Sequence, residues 1–479
     1  VQEEGTSLLP LAAHILLTAL SVTMKASCLR GLEKEISDSQ QPLCYSLVNE
    51  WMHSEDDNAL YEIARAVEEQ YDLEKRFNAL EISELMNSEC FPCIDECILR
   101  RYMTEISENI IKADGIVAAV EKRRTLKWYK RVRYYYDGLL QAAQMQQFYQ
   151  ANIGGFHIAE YAALWKAYTG DYCKMDHFYR QFHAAFGRSL KESSTVLDDL
   201  YKSVADYVER LYKNWFLTSL GGQWTSLIRE ELEKNAGLPE LPQQANFYRS
   251  FVAPIAASGS RVFVIISDAL RYEVAVDLTG QLLRETKGDA RISAVQGVFP
   301  SATKFGMAAL LPHRCLQLTK DANVLCDGEP TEGTAAREKI LNRAHAGNVA
   351  ISYKTLVSMK QAERREAISG AGVVYIYHNT IDAVGDKAAT EDRVFDACEQ
   401  AILEIKNLVR MITNDMKGTN ILITADHGFL YSYKPLDESD KAEREFISGN
   451  IVELDRRYVI ADGDCSAMHM LRIPLTQYD

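Results

Sequence analysis

The sequence predicts an α/β fold, a doubly wound and mostly parallel sheet, preceded by an all-helical region. Three observations predict it. From Arg261 onward, short continuous apolar runs such as "RVFVIIS" and "VVYIYH" alternate with helical segments, the pattern of strands covered on both faces. Up to about residue 240, aromatic and aliphatic residues recur three and four apart, as on helix faces. Between the two textures, "NAGLPELPQQANFYRSFVAPIAASGS" (Asn235 to Ser260) concentrates Pro, Gly and Ser. The chain of 479 residues therefore divides into a helical domain at 1–240, a linker at 241–260 and an α/β domain at 261–479.

In the helical region, "LLPLAAHILLTALSVTM" (Leu8 to Met24) follows Glu3 and Glu4 and includes His14. It falls short of the roughly 20 apolar residues a membrane span needs, so it reads as a buried helix and no membrane partner is expected. "CFPCIDEC" places Cys90, Cys93 and Cys97 close together, but a structural zinc takes four ligands and no matching pair follows. Ten cysteines in a chain of this length read as reduced thiols in a cytoplasm. "KWYKRVRYYYDGLL" is basic and aromatic together and reads as a solvated helix face rather than a nucleic-acid contact. The formal net charge of −14 and pI near 5.3 exclude a whole-surface nucleic-acid binder, though not a local polyanion site.

In the α/β domain, "RVFVIIS", "RISAVQGVF", "VVYIYH" and "NILITA" read as strands. "RYEVAVDLTGQLLRET" reads as a helix. "EDRVFDACEQAILEIKNLVRMITNDM" is a long amphipathic one, with Phe395, Cys398, Ile402, Ile405 and Val409 on its apolar stripe. Each strand-like run ends in polar residues. Asp268 follows the first, Ser301 and Thr303 the second, "HNTIDAVGD" the third, and Asp426 with His427 the fourth. Singly these are ordinary: an Asp after a strand caps a helix, and Ser or Thr after Pro forms a turn. Together, at the carboxyl ends where open α/β sheets bind ligands, they match a two-metal phosphoryl-transfer site. Carboxylates and imidazole hold two divalent cations about 4 Å apart, and a hydroxyl supplies the nucleophile.

"FVIISDALRYEVAVDL", "FPSATKFGMAALLP", "YHNTIDAVGD" and "ITADHGFLYS" resemble the PglZ family, a branch of the alkaline phosphatase superfamily and a component of bacterial BREX phage-defence systems. The likeness extends to "YCKMDHFYRQF", "ANFYRSFV" and "LDRRYVIA", closest to the long proteins of type 1 BREX. It implies an alkaline-phosphatase-like fold for the α/β domain. It implies Asp268 as first-strand metal ligand, Thr303 as nucleophile and metal contact, and Asp426 with His427 completing that site. Asp382 would begin the second metal site. Asp386 stands where much of the superfamily has histidine, which makes manganese or magnesium plausible beside zinc. The superfamily's further histidine is missing: His469 in "SAMHML" has the wrong neighbours, and the ligand is expected beyond Asp479. The chain, which starts at Val1 rather than methionine, reads as a fragment.

Arg271 is either a phosphate clamp or a salt-bridge partner near a helix start. Lys304 steadies a phosphate oxygen or is a solvated lysine, and His378 reads as a satisfied histidine at a strand end. The expected function is a cytoplasmic metal-dependent phosphoesterase acting on phosphodiesters or nucleic acid, with other BREX proteins as partners. The alternative is a non-catalytic structural or regulatory subunit that binds partners and metal or nucleotide.

Overall fold

The computed structural model describes residues 8–54, 57–110, 113–192, 197–385, 393–434, 447–455, 457–467 and 470–478. Contacts group them into two compact units that do not follow chain order. One comprises Val1–Gly155 and Phe178–Thr218, the other Phe156–His177 and Ser219–Asp479. This differs from the contiguous division drawn from composition. Residues 156–177 carry helical periodicity like their neighbours, yet they pack with the α/β unit.

The first unit is helical. Its core is built on aromatic side chains from the long helix Tyr129–Ala151, where Tyr135 and Tyr136 are buried within the basic, aromatic stretch. The basic residues of that stretch lie at the edge: Arg131 donates to Asn58 (2.5 Å) and stacks over Tyr61. Gly138 is required on this helix, because a Cβ there would lie 1.7 Å from the Tyr201 hydroxyl. A fully buried ion pair crosses the core. Arg123 grips Asp95 with two hydrogen bonds of 2.8 and 2.7 Å, and the Tyr136 hydroxyl donates to the same carboxylate at 2.7 Å. Cys90, Cys93 and Cys97 are buried free thiols, and burial pushes Cys90 and Cys97 up to about 12. Leu9–Thr23 forms a helix with Leu16, Leu17 and Leu20 buried, and no helix among the described residues is long and apolar enough to cross a membrane.

In the second unit a four-stranded parallel sheet holds β1 (Val262–Ser267), β5 (Val349–Ser352), β6 (Val373–His378) and β7 (Asn420–Thr424), in the order β5-β6-β1-β7. Val262 through Ile266 are all 0% exposed, which explains the unbroken apolar run; each such side chain stabilises the fold by about 1.5–3 kcal/mol. β1 pairs with β6 from Val262↔Val373 to Ser267↔His378, and with β7 from Val262↔Asn420 to Ile266↔Thr424. These registers end the three strands level, so whatever follows each of them emerges on one rim. The helix Val394–Asp415 buries Phe395, Cys398, Ile402 and Ile405, with Val409 half-buried. The insertion at 323–340 contributes β3 (Val324–Cys326) and β4 (Glu329–Pro330), which with β2 (Leu316–Leu318) make a small antiparallel sheet, followed by the start of the helix Gly333–Ala344. A hairpin of β8 (Ile447–Leu454) and β9 (Val459–Ala467) follows β7.

Two expectations need correction. "RISAVQGVF" is extended but joins no ladder; its one bridge is Gln243↔Gln296, and its amides go elsewhere, Gln296 N to Pro242 O (2.7 Å) and Val298 N to the Gln244 side chain (3.0 Å). Residues 241–260, expected as a linker, form helical turns at Gln244–Asn246, Tyr248–Val252 and Ala253–Ala257, and they bury Phe247 and Val252 in the sheet's core. The Pro, Gly and Ser that suggested a linker sit mainly at the two ends of this segment.

Candidate metal centre

The level strand ends assemble the site. Asp268 leaves β1 with its amide donating to His378 O (2.8 Å), which continues the β1–β6 ladder by one bond. Ala269 then takes a left-handed conformation (φ +61°), unusual for a residue with a Cβ. That turn aims the Ala269 amide at Asp426 Oδ1 (3.1 Å), which also accepts from the amide of His427 (2.9 Å). Thr303 opens the helix Thr303–Ala309. Three residues on, Gly306 lies so close to the Asp426 carbonyl that a Cβ would sit 2.1 Å from it. Gln244, 3% exposed, donates to the carbonyls of Ala425 (3.0 Å) and Asp426 (2.6 Å), while its oxygen accepts from Val298.

These constraints put donor atoms in a small triangle. Thr303 Oγ1 is 3.1 Å from His427 Nε2 and 3.5 Å from Asp268 Oδ1, and His427 Nε2 is 3.5 Å from Asp268 Oδ1. Four donors placed tetrahedrally at about 2.1 Å from a cation stand roughly 3.4 Å apart, so the spacing is that of ligands around one ion. Asp382 joins the group: Asp268, Asp382 and His427 each offer a ligand atom within 4.8 Å of the others. The resemblance had assigned Asp382 to a separate cation. Here it is close enough to share one with Asp268 or to flank a second beside it. Asp386 and His469 lie outside the described residues.

The donor chemistry fits a divalent ion. His427 Nδ1 donates to the Gly428 carbonyl (2.9 Å), so the ring's proton is on that side and Nε2 keeps its lone pair toward the triangle. Asp426 Oδ2 is buried and has no hydrogen-bond donor among the described residues, and its nearest imidazole nitrogen is 3.7 Å away. Such a buried acceptor is satisfied by a proton on the neighbouring Asp268 carboxyl or by a cation. Burial raises the Asp268 carboxyl well above the carboxylate range, and the charges of Asp426 and Asp382 raise it further. Asp426 is raised as well, chiefly by burial, against the lowering effect of its backbone donors. Carboxylates crowded in a dry pocket resist ionisation, and a cation between them reverses that penalty.

Arg271 and Lys304 are engaged elsewhere. Arg271 is buried, paired with Asp176 (2.8 Å), donating to Phe429 O and stacked on Tyr431 (4.3 Å). It braces the turn that follows His427. Lys304 pairs with Glu453 on β8 and lies over the Phe305 ring. His378 is a satisfied strand-end residue, bonded to Ser267 (3.0 Å) and Glu404 (2.8 Å), and burial lowers its pKa. Sequence reasoning missed Gln244, Gly306 and Asp176. Only Gly306, three after Thr303 in a helix, carried a local signal.

A parallel sheet bearing these carboxylates, an imidazole and a helix-start hydroxyl on its carboxyl rim is the architecture of an alkaline-phosphatase-like domain. Residues 247–475 match the family model described as the BREX system PglZ alkaline phosphatase-like domain. The chain is 37% identical over 418 residues to the alkaline phosphatase-like protein PglZ of Bacillus cereus (strain H3081.97), covering 86% of this chain and 48% of that protein. It is 37% identical over 377 residues to the alkaline phosphatase-like protein BrxZ of Escherichia coli O9:H4 (strain HS), covering 77% of this chain and 43% of that protein. The chain belongs to the PglZ family. It spans about half the length of these curated relatives.

Proposed function

We propose that this chain carries the reaction centre of a metal-dependent phosphoesterase acting on phosphodiesters, nucleic acid among them, in bacterial phage defence. The observation that supports it best is the triangle of Thr303, Asp268 and His427 beside the orphaned oxygen of Asp426. Asp268, Asp426 and His427 would hold one divalent ion, and Asp382 with Asp386 a second, zinc or manganese with magnesium as a further option. Bound there, such ions supply positive charge to the transferring phosphoryl group and ease ionisation of a coordinated hydroxyl.

The chain's own residues do the rest. Thr303 Oγ1 attacks phosphorus in line as the bond to the leaving oxygen breaks, giving a phosphothreonine that water then hydrolyses. Its hydroxyl proton has two acceptors in reach, His427 Nε2 at 3.1 Å and Asp268 Oδ1 at 3.5 Å. The Nδ1 bond to Gly428 keeps the His427 ring from turning, and Gln244 fixes the backbone that carries Asp426. The helical unit, Val1–Gly155 with Phe178–Thr218, is the proposed docking part for other BREX proteins in the cytoplasm.

The test uses the full-length protein with manganese or zinc and bis(nitrophenyl) phosphate. Release of nitrophenol that Thr303→Ala abolishes, with a mass gain of one phosphoryl group on Thr303 in quenched reactions, supports the reading. Turnover untouched by Thr303→Ala removes the covalent route. No turnover with either metal, with partner binding intact, favours a structural subunit.

A further inference from the structure

The sheet has a second end, and it carries the opposite charge. We propose that the amino-terminal edge of the parallel sheet binds a free nucleotide, at a site separate from the carboxylate rim. β1 is six residues long, so the two edges lie about 20 Å apart. At the amino-terminal edge a recess of about 630 Å³ is lined by Arg261, His345, Arg365 and Lys417, and no carboxylate side chain lines it among the described residues. That volume is in the range of small-molecule sites. In a chain of net charge −14, cations gathered without a counter-charge are out of keeping with the rest of the surface.

The two guanidinium groups are oriented and still have donors to offer. Arg261 Nε donates to Ala371 O (2.8 Å), and Arg365 Nε donates to Asp415 O (2.6 Å). Their terminal nitrogens have no partner among the described residues, and neither do the Lys417 ammonium and the His345 ring. The nearby Asp415 carboxylate is already used by Arg364 (2.7 Å) and Gln361 (3.0 Å), so it does not neutralise the recess. Lys417 is held in a left-handed conformation (φ +54°), which fixes the direction of its loop. Guanidinium forks with free paired N–H groups match phosphate oxygens two at a time.

The floor differs from the walls. Half-buried Ala256 offers the recess apolar surface, backed by Ile368, Met416 and Ala371, which are themselves nearly covered. An apolar floor under a cationic wall suits a ligand that is flat and apolar at one end and multiply anionic at the other. A nucleoside triphosphate has that chemistry, and inorganic phosphate has only half of it. The proposal does not depend on the metal centre, and its test is run with that centre disabled.

The full chain carrying Thr303→Ala, in EDTA, is titrated with ATP by calorimetry, and separately with tripolyphosphate and a single-stranded oligonucleotide of eight bases. One ATP is expected to bind per chain, at least tenfold more tightly than tripolyphosphate. Arg365→Ala and Lys417→Glu are expected to weaken ATP by tenfold or more without changing the melting temperature. Both side chains are exposed, so neither change disturbs the core. Arg261→Ala is expected to weaken ATP to the same degree, and Arg261→Lys to recover only part of the loss. Absent ATP binding, or equal binding by wild type and Lys417→Glu, overturns the proposal. Tighter binding of the oligonucleotide than of ATP, lost in the same variants, overturns the assignment to a free nucleotide.

Discussion

Two buried clusters of charge in this molecule are built on opposite principles. In the helical unit, Asp95 is met on both oxygens by Arg123 and receives the Tyr136 hydroxyl as well. In the α/β unit, Asp268 and Asp426 are buried to a similar degree, yet no arginine or lysine pairs with either among the described residues, and one oxygen of Asp426 has no donor. The first cluster is complete as protein, and breaking it costs stability. The second lacks such compensation, which is what makes it the candidate cation site. Burial of acids is common to both, so burial is not the signal; missing compensation is.

Substitutions can break either side of this contrast, and the largest effect is expected at the nucleophile. Thr303→Ala is expected to lower phosphodiester hydrolysis by roughly 10³-fold or more while leaving the melting curve unchanged, as measured by nitrophenol release and calorimetry. Arg123→Ala leaves Asp95 charged, buried and unmatched. It is expected to cost about 3–5 kcal/mol in urea unfolding with no change in metal affinity. Gly306→Ala forces a methyl against the Asp426 carbonyl and is expected to cost about 1–3 kcal/mol and to weaken metal binding at the same time. Asp426→Asn removes a buried charge that backbone amides offset only in part in the metal-free protein. It is expected to stabilise that form by on the order of 1 kcal/mol and to abolish the rise in melting temperature that manganese produces.

The smallest effect is a contrast among thiols. Burial raises the Cys90, Cys93 and Cys97 pKa values, so their reactive thiolate forms are scarce at pH 8. Iodoacetamide at that pH is expected to label the half-buried Cys315 and Cys465 first, and to reach those three only after unfolding.

What could be read from the sequence follows from which interactions are local. "VFVIIS" and "VVYIYH" were legible as strands because burial on both faces leaves an unbroken apolar run. The rim residues were legible because parallel strands deliver their following residues to one side. "RISAVQGVF" has a similar apolar texture, but its amides pair with Pro242 and the Gln244 side chain, partners about 55 positions away that no local pattern reveals. β5 was missed because four residues carry too little periodicity. The inclusion of 156–177 in the α/β unit depends on contacts such as Asp176 with Arg271, and in helical periodicity these residues look like their neighbours. The same contact explains why Arg271 could not be resolved between phosphate clamp and ion pair from its position alone.

The central claim is the proposal that Asp268, Thr303, Asp426 and His427 surround one cation, with Asp382 beside it as a ligand of a second. Crystals of the chain soaked in manganese and measured for anomalous scattering test it most directly. A peak about 2.0–2.3 Å from Asp268, Asp426 Oδ2 and His427 Nε2 is the predicted result. A manganese peak elsewhere, with these side chains unmoved and nothing between them, would contradict the account.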